Sequence, residues 1–335
     1  MYIIAEIGAN HNGDMQLAKE MILSAKQSGA DCVKFQSWTP DSLVSKEEYD
    51  NNQVYTDSKK KHFGSLKEMV EKYALTRANH FELKKYCDEI GVDFSSSPFS
   101  NAEIDLLIEL DVPFIKIASM DINNHSLLRY AASTQKPMIV STGMAQIGEI
   151  DEAIKIIEAA GNTQITLLHC ISIYPPKFED IHLRNIEMLS QTFGYPVGFS
   201  DHSIGIEIPL AAAALGATMI EKHFTTDKDL PGWDHLISAD PTELSAIASG
   251  TRAIAKSLGS FQRVVSQDEL NKRQKFRRSI VINRDLPKGH KLQESDLLYK
   301  RPGTGISPNR SDLVIGRRLV NSIEKDTLLN LEMLE

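Results

Sequence analysis

Eight short apolar runs, separated by stretches with helical periodicity, limit most strongly what this chain can fold into. They are Tyr2–Ile7, Asp31–Gln36, Val92–Ser95, Phe114–Ala118, Met138–Ser141, Ile165–Cys170, Pro196–Phe199 and Thr218–Phe224. Short runs rich in Val, Ile, Leu and Phe are the pattern of strands buried on both faces, as in parallel sheets. Helices are expected between them over Met15–Gln27 (capped by Asp14 and closed by Gly29 as its C-cap), Leu66–Tyr73, Arg77–Ile90 (ended by Gly91), Asn101–Leu110, Ser126–Ser133, Gly148–Ala160, Leu183–Gln191 and Gly205–Gly216, and over Thr242–Leu258 after the last strand. Eight strands alternating with helices over about 250 residues fit a (β/α)8 TIM barrel. The alternative, a doubly wound sheet, lacks the glycine-rich dinucleotide or phosphate loop that would support it.

In such a barrel the chemistry lies at the C-terminal ends of the strands. Polar residues fall there on every strand: Glu6; Lys34 and Gln36; Ser95 and Ser97; Lys116 and Ser119; Ser141 and Thr142; His169; Ser200 and His202; Glu221 and His223. Lys34 and Lys116 lie inside apolar runs, where an unpaired ammonium is costly. Their candidate partners are Glu6, Asp121 or a substrate anion. His202 and His223 end neighbouring strands. Two neutral imidazoles completed by water and substrate oxygens suit a divalent first-row metal, although each could equally cap its strand by bonding to backbone.

Composition narrows the function classes. A net charge of −8 argues against nucleic acid as a partner. Cys32, Cys87 and Cys170 are odd in number and widely spaced, so neither a disulfide framework nor a zinc pattern follows. No signal-peptide pattern opens the chain and no apolar stretch approaches the roughly 20 residues of a membrane span; a cytoplasmic enzyme with no membrane partner is expected. Residues 37–65 read as a polar surface excursion. The domain reading is a barrel over 1–262, a polar linker over 263–277 and a small, mostly β domain over 278–335, with a short strand at 279–282, a strand and turn over 297–303, and another strand at 316–320.

The strings Ala5-Glu6-Ile7-Gly8 with Asn10-His11-Asn12-Gly13, Val33-Lys34-Phe35-Gln36, Ser97-Pro98-Phe99, Lys116-Ile117-Ala118-Ser119, Ser141-Thr142-Gly143-Met144, His169-Cys170 with Ile173-Tyr174-Pro175, Ser200-Asp201-His202, Glu221-Lys222-His223-Phe224, Gly232 with Asp234, and Lys300-Arg301-Pro302-Gly303 resemble the sialic acid synthase (N-acetylneuraminate synthase) family. They follow the family order along nearly the whole chain. The resemblance implies a TIM barrel followed by an antifreeze-like (SAF, β-clip) domain. It also implies condensation of phosphoenolpyruvate with an N-acetyl-hexosamine aldehyde, giving a nine-carbon 2-keto-3-deoxy acid and phosphate. Carried over by position, His202 and His223 are the implied ligands of a manganese or magnesium ion. Lys34, Ser97, Lys116, Ser119 and Ser200 are the implied phosphoenolpyruvate cradle, with Gln36, Ser141 and Ser172 as further candidate substrate contacts. Glu6, Asp121, Tyr174 and Asp234 fall where acid–base and sugar-contacting groups are placed. Arg301 matches an arginine that reaches the partner subunit's site in a domain-exchanged homodimer.

The chemistry agrees with the residue types. A donor with a phosphate and a carboxylate accounts for two lysines and a set of hydroxyls. Where many family members have Gly-Glu, this chain has Met120-Asp121; where many have Asn it has Ser172, and where many have Pro it has Trp233. These departures lie at the sugar end, so a modified di-N-acetyl hexose, as in legionaminic or pseudaminic acid synthesis, is the alternative acceptor. Two competing readings remain. A synthase for phosphorylated sugars would need a further basic cluster at the acceptor end, and none stands out. A carbohydrate- or ice-binding protein would leave the strand-end lysines and histidines without a purpose.

Overall fold

The computed structural model describes residues 1–52 and 64–335. Lys59 to Lys61 lie outside the described residues.

Eight parallel strands form the barrel: β1 Tyr2–Gly8, β2 Cys32–Ser37, β3 Asp93–Pro98, β4 Ile115–Ile117, β5 Met138–Ser141, β6 Ile165–Cys170, β7 Val197–Asp201 and β8 Met219–His223. Hydrogen bonding runs in the order β3-β2-β1-β8-β7-β6-β5-β4. The two end strands lie side by side, and Ser95 Oγ on β3 donates to the Phe114 carbonyl just before β4 at 3.2 Å, which closes the ring. The connecting helices follow the apolar periodicity. Met15–Gln27 starts on Asp14, whose side chain accepts from Gln16 N and Leu17 N, and it buries Ala18, Met21, Ile22 and Ala25. Arg77–Ile90 starts on a Thr76 capping box and stops at Gly91, whose φ of 72° a residue with a Cβ reaches only with strain.

Period-two alternation divides each strand between two environments. Outward residues such as Val33, Phe94, Leu167, Phe199 and Ile220 join the large apolar layer under the helices. Inward residues change character along the barrel axis. Near the N-terminal ends Tyr2, Ile4, Cys32, Phe114, Ile139, Leu168 and Met219 form a separate apolar floor. One step further along the axis the inward positions are Glu6, Lys34, Lys116, Ser141 and Glu221, with Ser200 beside them on β7. The apolar floor keeps water out beneath these groups.

Residues 37–52 depart from the expected surface excursion. They form two short helices, Pro40–Leu43 and Lys46–Asn51, capped by Thr39 and Ser45. Trp38 and Tyr49 are buried with Met69, Val70 and Tyr73 in a compact aromatic cluster, with Phe99 and Trp233 packed against it. Polar composition hid two anchoring aromatics.

The chain divides into two compact units, Met1–Gly259 and Ser260–Glu335. In the second unit, strands β9 Ser279–Ile282 and β10 Leu297–Lys300 pair antiparallel, over a core of Ile280, Ile282, Leu286, Leu292, Val314, Leu319 and Leu329. The strand expected at 316–320 is reduced to the isolated bridges Lys291–Arg318 and Leu319–Leu334, because Leu319 alone of that run is buried. Part of the segment expected as a linker is helical, Gln267–Phe276. Charge order forms this helix rather than an apolar face: Ser266 caps it, Asp268 and Glu269 lie in its first turn, and Arg273 and Lys275 in its last. Among the described residues, no helix is long and apolar enough to cross a membrane.

Candidate active site

The C-terminal mouth of the barrel holds a cavity of about 310 Å³. Its walls include Glu6, Lys34, Gln36, Ser97, Lys116, Ser119, Ser141, Ser172, Tyr174, Ser200, His202 and His223, all named from the sequence. Glu221, Cys170, Phe99, Met120 and Met144 complete the chemically informative part of the lining.

The floor is an alternating set of charges. Lys34 Nζ lies 2.5 Å from Glu6 Oε2 and 3.7 Å from Glu221 Oε2, and donates to Ser97 Oγ at 3.1 Å. Lys116 Nζ lies 3.6 Å from Glu221 Oε1 and donates to Ser141 Oγ at 2.7 Å. Ser200 Oγ donates to Glu221 Oε1 at 2.8 Å, and Gln36 Nε2 donates to Glu6 Oε1 at 3.0 Å. Glu221 is thus the hub between the two lysines. The strand-end pattern includes it, but nothing in a sequence says which of two inward carboxylates stands between two lysines. Asp121, a candidate partner for those lysines, turns instead toward Asn124 Nδ2 at 3.4 Å and does not line the cavity.

The two buried carboxylates are driven apart. Burial would raise both. Lys116 and Lys34 overcome it at Glu221 and hold that group down at about 2. At Glu6 burial prevails over the pull of Lys34, and the Glu221 charge adds to it, so the Glu6 carboxyl is raised. Burial lowers Lys116, with partial compensation from Glu221. For Lys34 the neighbouring Glu221 and Glu6 more than offset burial, and its pKa is raised. Glu221 therefore stays ionised, while Glu6 holds a proton more tightly than an ordinary carboxyl does.

The opposite wall carries the imidazoles. The rings of His202 and His223 are 5.4 Å apart, and Tyr174 stacks on His202 at 4.1 Å. His202 Nδ1–H donates to the Ile171 carbonyl at 2.7 Å, which leaves Nε2 with a free lone pair. Burial lowers both histidines and keeps them neutral; at His223 the neighbouring His202 adds to the effect. His223 Nδ1 is buried without a hydrogen bond, with Asp234 Oδ2 3.6 Å away. Burial, reinforced by Glu6, raises Asp234 to about 7. Tyr174 is half exposed at the mouth; partial burial, then Asp234, push its hydroxyl above the ordinary phenol value, and like any phenol it is a donor at neutral pH. A neutral pair with one tautomer fixed from behind and one unsatisfied nitrogen fits a divalent-metal site. Among the described residues no third His, Cys, Asp or Glu joins them as a cluster. Water and substrate oxygens would have to complete such a shell.

Three strand-end residues of the sequence pattern do not line the cavity: Ser95, whose hydroxyl donates to the Phe114 carbonyl, and His169 and Thr142. His169 faces outward, with Nε2 donating to the Ile181 carbonyl at 2.7 Å, and Thr142 Oγ1 donates to the Leu168 carbonyl at 3.0 Å. The parity of β6 makes Cys170 the inward residue. Arg301 belongs to the second unit, where its guanidinium lies 5.1 Å over the Phe276 ring.

Asn10 and Asn12 fasten the loop that carries Asp234. Asn10 Nδ2 donates to the Phe224 carbonyl and to Ser238 Oγ, both at 2.9 Å, and Asn12 Nδ2 donates to the Pro231 carbonyl at 2.7 Å. A Cβ at Gly232 would lie 2.9 Å from Asn12 Oδ1. The Asn-His-Asn-Gly string therefore braces one loop against another.

Comparison with known proteins adds an independent line. The NeuB family model matches residues 21–263 and the SAF domain model residues 277–335. An N,N'-diacetyllegionaminic acid synthase of Legionella pneumophila is 41% identical over 342 residues, covering 100% of this chain and 94% of the relative. Its counterpart in Campylobacter jejuni is 40% identical, over 98% of each chain. The crystal structure of the N-acetylneuraminic acid (sialic acid) synthetase from Leptospira borgpetersenii superposes with a TM-score of 0.72 at 35% identity, over 81% of this chain and 89% of that one. With the eight-stranded barrel and its polar mouth, these matches show that the chain belongs to the NeuB family of sugar-acid synthases and carries an SAF domain.

Proposed function

We propose that this enzyme condenses phosphoenolpyruvate with an unphosphorylated N-acylamino-hexose aldehyde, giving a nine-carbon 2-keto-3-deoxy acid and phosphate. The observation that carries the donor half is the buried floor of Lys34, Lys116, Glu6 and Glu221. Lysines already balanced by carboxylates stay folded and buried without substrate. An arriving phosphate and carboxylate can exchange for that balance, with Ser97, Ser119, Ser141, Ser172 and Ser200 as hydroxyl donors. Gln36 holds Glu6 in place.

The reaction forms a bond between the enol carbon of the donor and the aldehyde carbon of the acceptor. The aldehyde oxygen takes a proton, and a water oxygen adds at C2. Phosphate then leaves with its bridging oxygen, and C2 becomes a ketone. Glu6, with its raised pKa, is placed to move these protons; Glu221 stays ionised and holds the lysines. The Tyr174 hydroxyl and Asp234 are the candidate hydrogen-bonding groups for the acceptor, and Asp121 stands further back. His202 and His223 would hold a manganese or magnesium ion. When bound, such an ion supplies Lewis-acid polarisation of a carbonyl oxygen.

Two features support the finer reading of the acceptor. Among the described residues, the cavity has no cation besides Lys34 and Lys116, so no seat for a sugar phosphate is evident. Phe99, Met120 and Met144, on the loops after three consecutive strands, give the mouth an apolar arc opposite the imidazoles, with Met120 59% and Met144 70% exposed. That arc and the 40–41% identical relatives favour a di-N-acylated hexose over N-acetylmannosamine. The resemblance further supports a domain-exchanged homodimer in which Arg301 serves the partner's site. An acceptor panel tests the reading. Phosphate release from phosphoenolpyruvate should be fastest with a 2,4-diacylamino hexose, slower with N-acetylmannosamine and slowest with its 6-phosphate; a preference for the phosphorylated sugar would overturn it.

A further inference from the structure

Asp201 and Lys222 are the neighbours in sequence of His202 and His223, and they face the other way. Ser200 with His202, and Glu221 with His223, point into the barrel; Asp201 and Lys222 point out, directly opposite one another in the β7–β8 register. The surrounding outward positions, Phe199, Ile220 and Phe224, are buried and apolar. Yet Lys222 Nζ lies 2.6 Å from Asp201 Oδ2, with both side chains only 1% exposed. A buried ion pair among apolar neighbours is not explained by stability, because its desolvation cost offsets its attraction.

The pair does more than join two strands. Lys222 Nζ also donates to the Ser203 carbonyl at 2.5 Å, and Asp201 Oδ1 accepts from Ser203 N at 2.9 Å. Residues 201 and 203, on either side of His202, are therefore clamped to the residue that precedes His223. One closed ring of polar contacts fixes the backbone from which both imidazoles project. From inside, the clamp is matched by the single bond from His202 Nδ1 to the Ile171 carbonyl.

We propose that Lys222 and Asp201 are positioning residues for the two imidazoles, retained for geometry rather than for stability. The inference rests on the metal reading of His202 and His223 only for its affinity readout. The test uses the full-length protein with Asp201→Leu and Lys222→Met combined, an apolar pair that leaves no buried charge unpaired. Its thermal midpoint should match the parent. Its Mn2+ dissociation constant should rise about 10–100-fold, the range for losing an outer support of a ligand. In 15N-edited spectra of the metal-free protein, the protected His202 Nδ1–H signal of the parent should be lost or shifted. Parent-like Mn2+ affinity with an unchanged His202 signal would overturn the proposal. Should the parent bind no Mn2+, the metal reading fails, and the His202 signal alone decides on the clamp. Should the double variant not fold, Asp201→Asn is measured in its place. That change keeps the acceptor for Ser203 N and abolishes the ion pair, with the same signal change predicted and an unchanged signal contradicting it.

Discussion

At the scale of single residues, the site depends on two lysines of different character. Lys116 has its ammonium destabilised by burial and Lys34 has its own stabilised by two carboxylates. Replacing either with Met removes a charge-assisted contact worth about 1.5–3 kcal/mol. Calorimetry should show phosphoenolpyruvate binding weakened by roughly 10–150-fold in each variant; unchanged donor affinity in both would contradict the donor assignment. Gly143 gives a second test. A Cβ there would lie 2.3 Å from Ser172 Oγ, 2.7 Å from Ser119 Oγ and 2.8 Å from Cys170 Sγ. Gly143→Ala should therefore displace the hydroxyl seats and lower kcat/KM by about 10²-fold with the fold intact, read by steady-state kinetics beside circular dichroism. His202→Ala, or chelation of the parent followed by manganese add-back, reads the proposed metal: turnover should vanish, and only the parent should recover. The inward lysines, hydroxyls and imidazoles were legible because polar residues inside apolar runs are costly. The hub position of Glu221 and the outward turn of His169 were not, since Glu221 depends on lysines from two other strands and His169 on a carbonyl in the loop after its own strand.

At the scale of elements, the first helix start was legible from its capping residue Asp14, while the caps Thr76 and Asp240 emerge only in the structure. Residues 37–52 were not legible, because Trp38 and Tyr49 anchor them to an aromatic cluster drawn from four distant segments. The barrel floor also depends on one small residue. A Cβ at Gly198 would meet Met219 Cγ at 2.4 Å and the Met219 carbonyl at 2.8 Å. Gly198→Val should cost about 1–3 kcal/mol in urea unfolding, the usual range for overpacking. In the second unit, buried Asp296 accepts from His290 Nε2 at 2.8 Å, from Arg284 Nη2 at 2.7 Å and from Gln293 N at 3.0 Å. Burial alone would raise it, but these donors hold it down at about 2. A carboxyl depressed in the folded state stabilises that state above its unfolded pKa. Its contribution should fall away as pH drops from about 4 toward 2 and be absent from Asp296→Asn, as acid titration of the two proteins followed by circular dichroism would show.

At the scale of the whole molecule, the floor residues and both imidazoles come from the first unit, while Arg301 comes from the second. A chain truncated after Gly259 should keep donor affinity within a few-fold and lose turnover. Mixing His202→Ala with Arg301→Ala chains should restore activity if the second domain serves a partner; no recovery after verified subunit exchange would assign Arg301 to its own chain or to no site. The donor's bridging oxygen reports which bond breaks. With that oxygen labelled as 18O, and with a di-N-acylated hexose as acceptor, one phosphate should be released per sugar acid formed, with the label in the phosphate and a solvent oxygen at C2 once carbonyl exchange is trapped by reduction. Label retained at C2 of the product, or phosphate released without any acceptor, would contradict the proposed condensation.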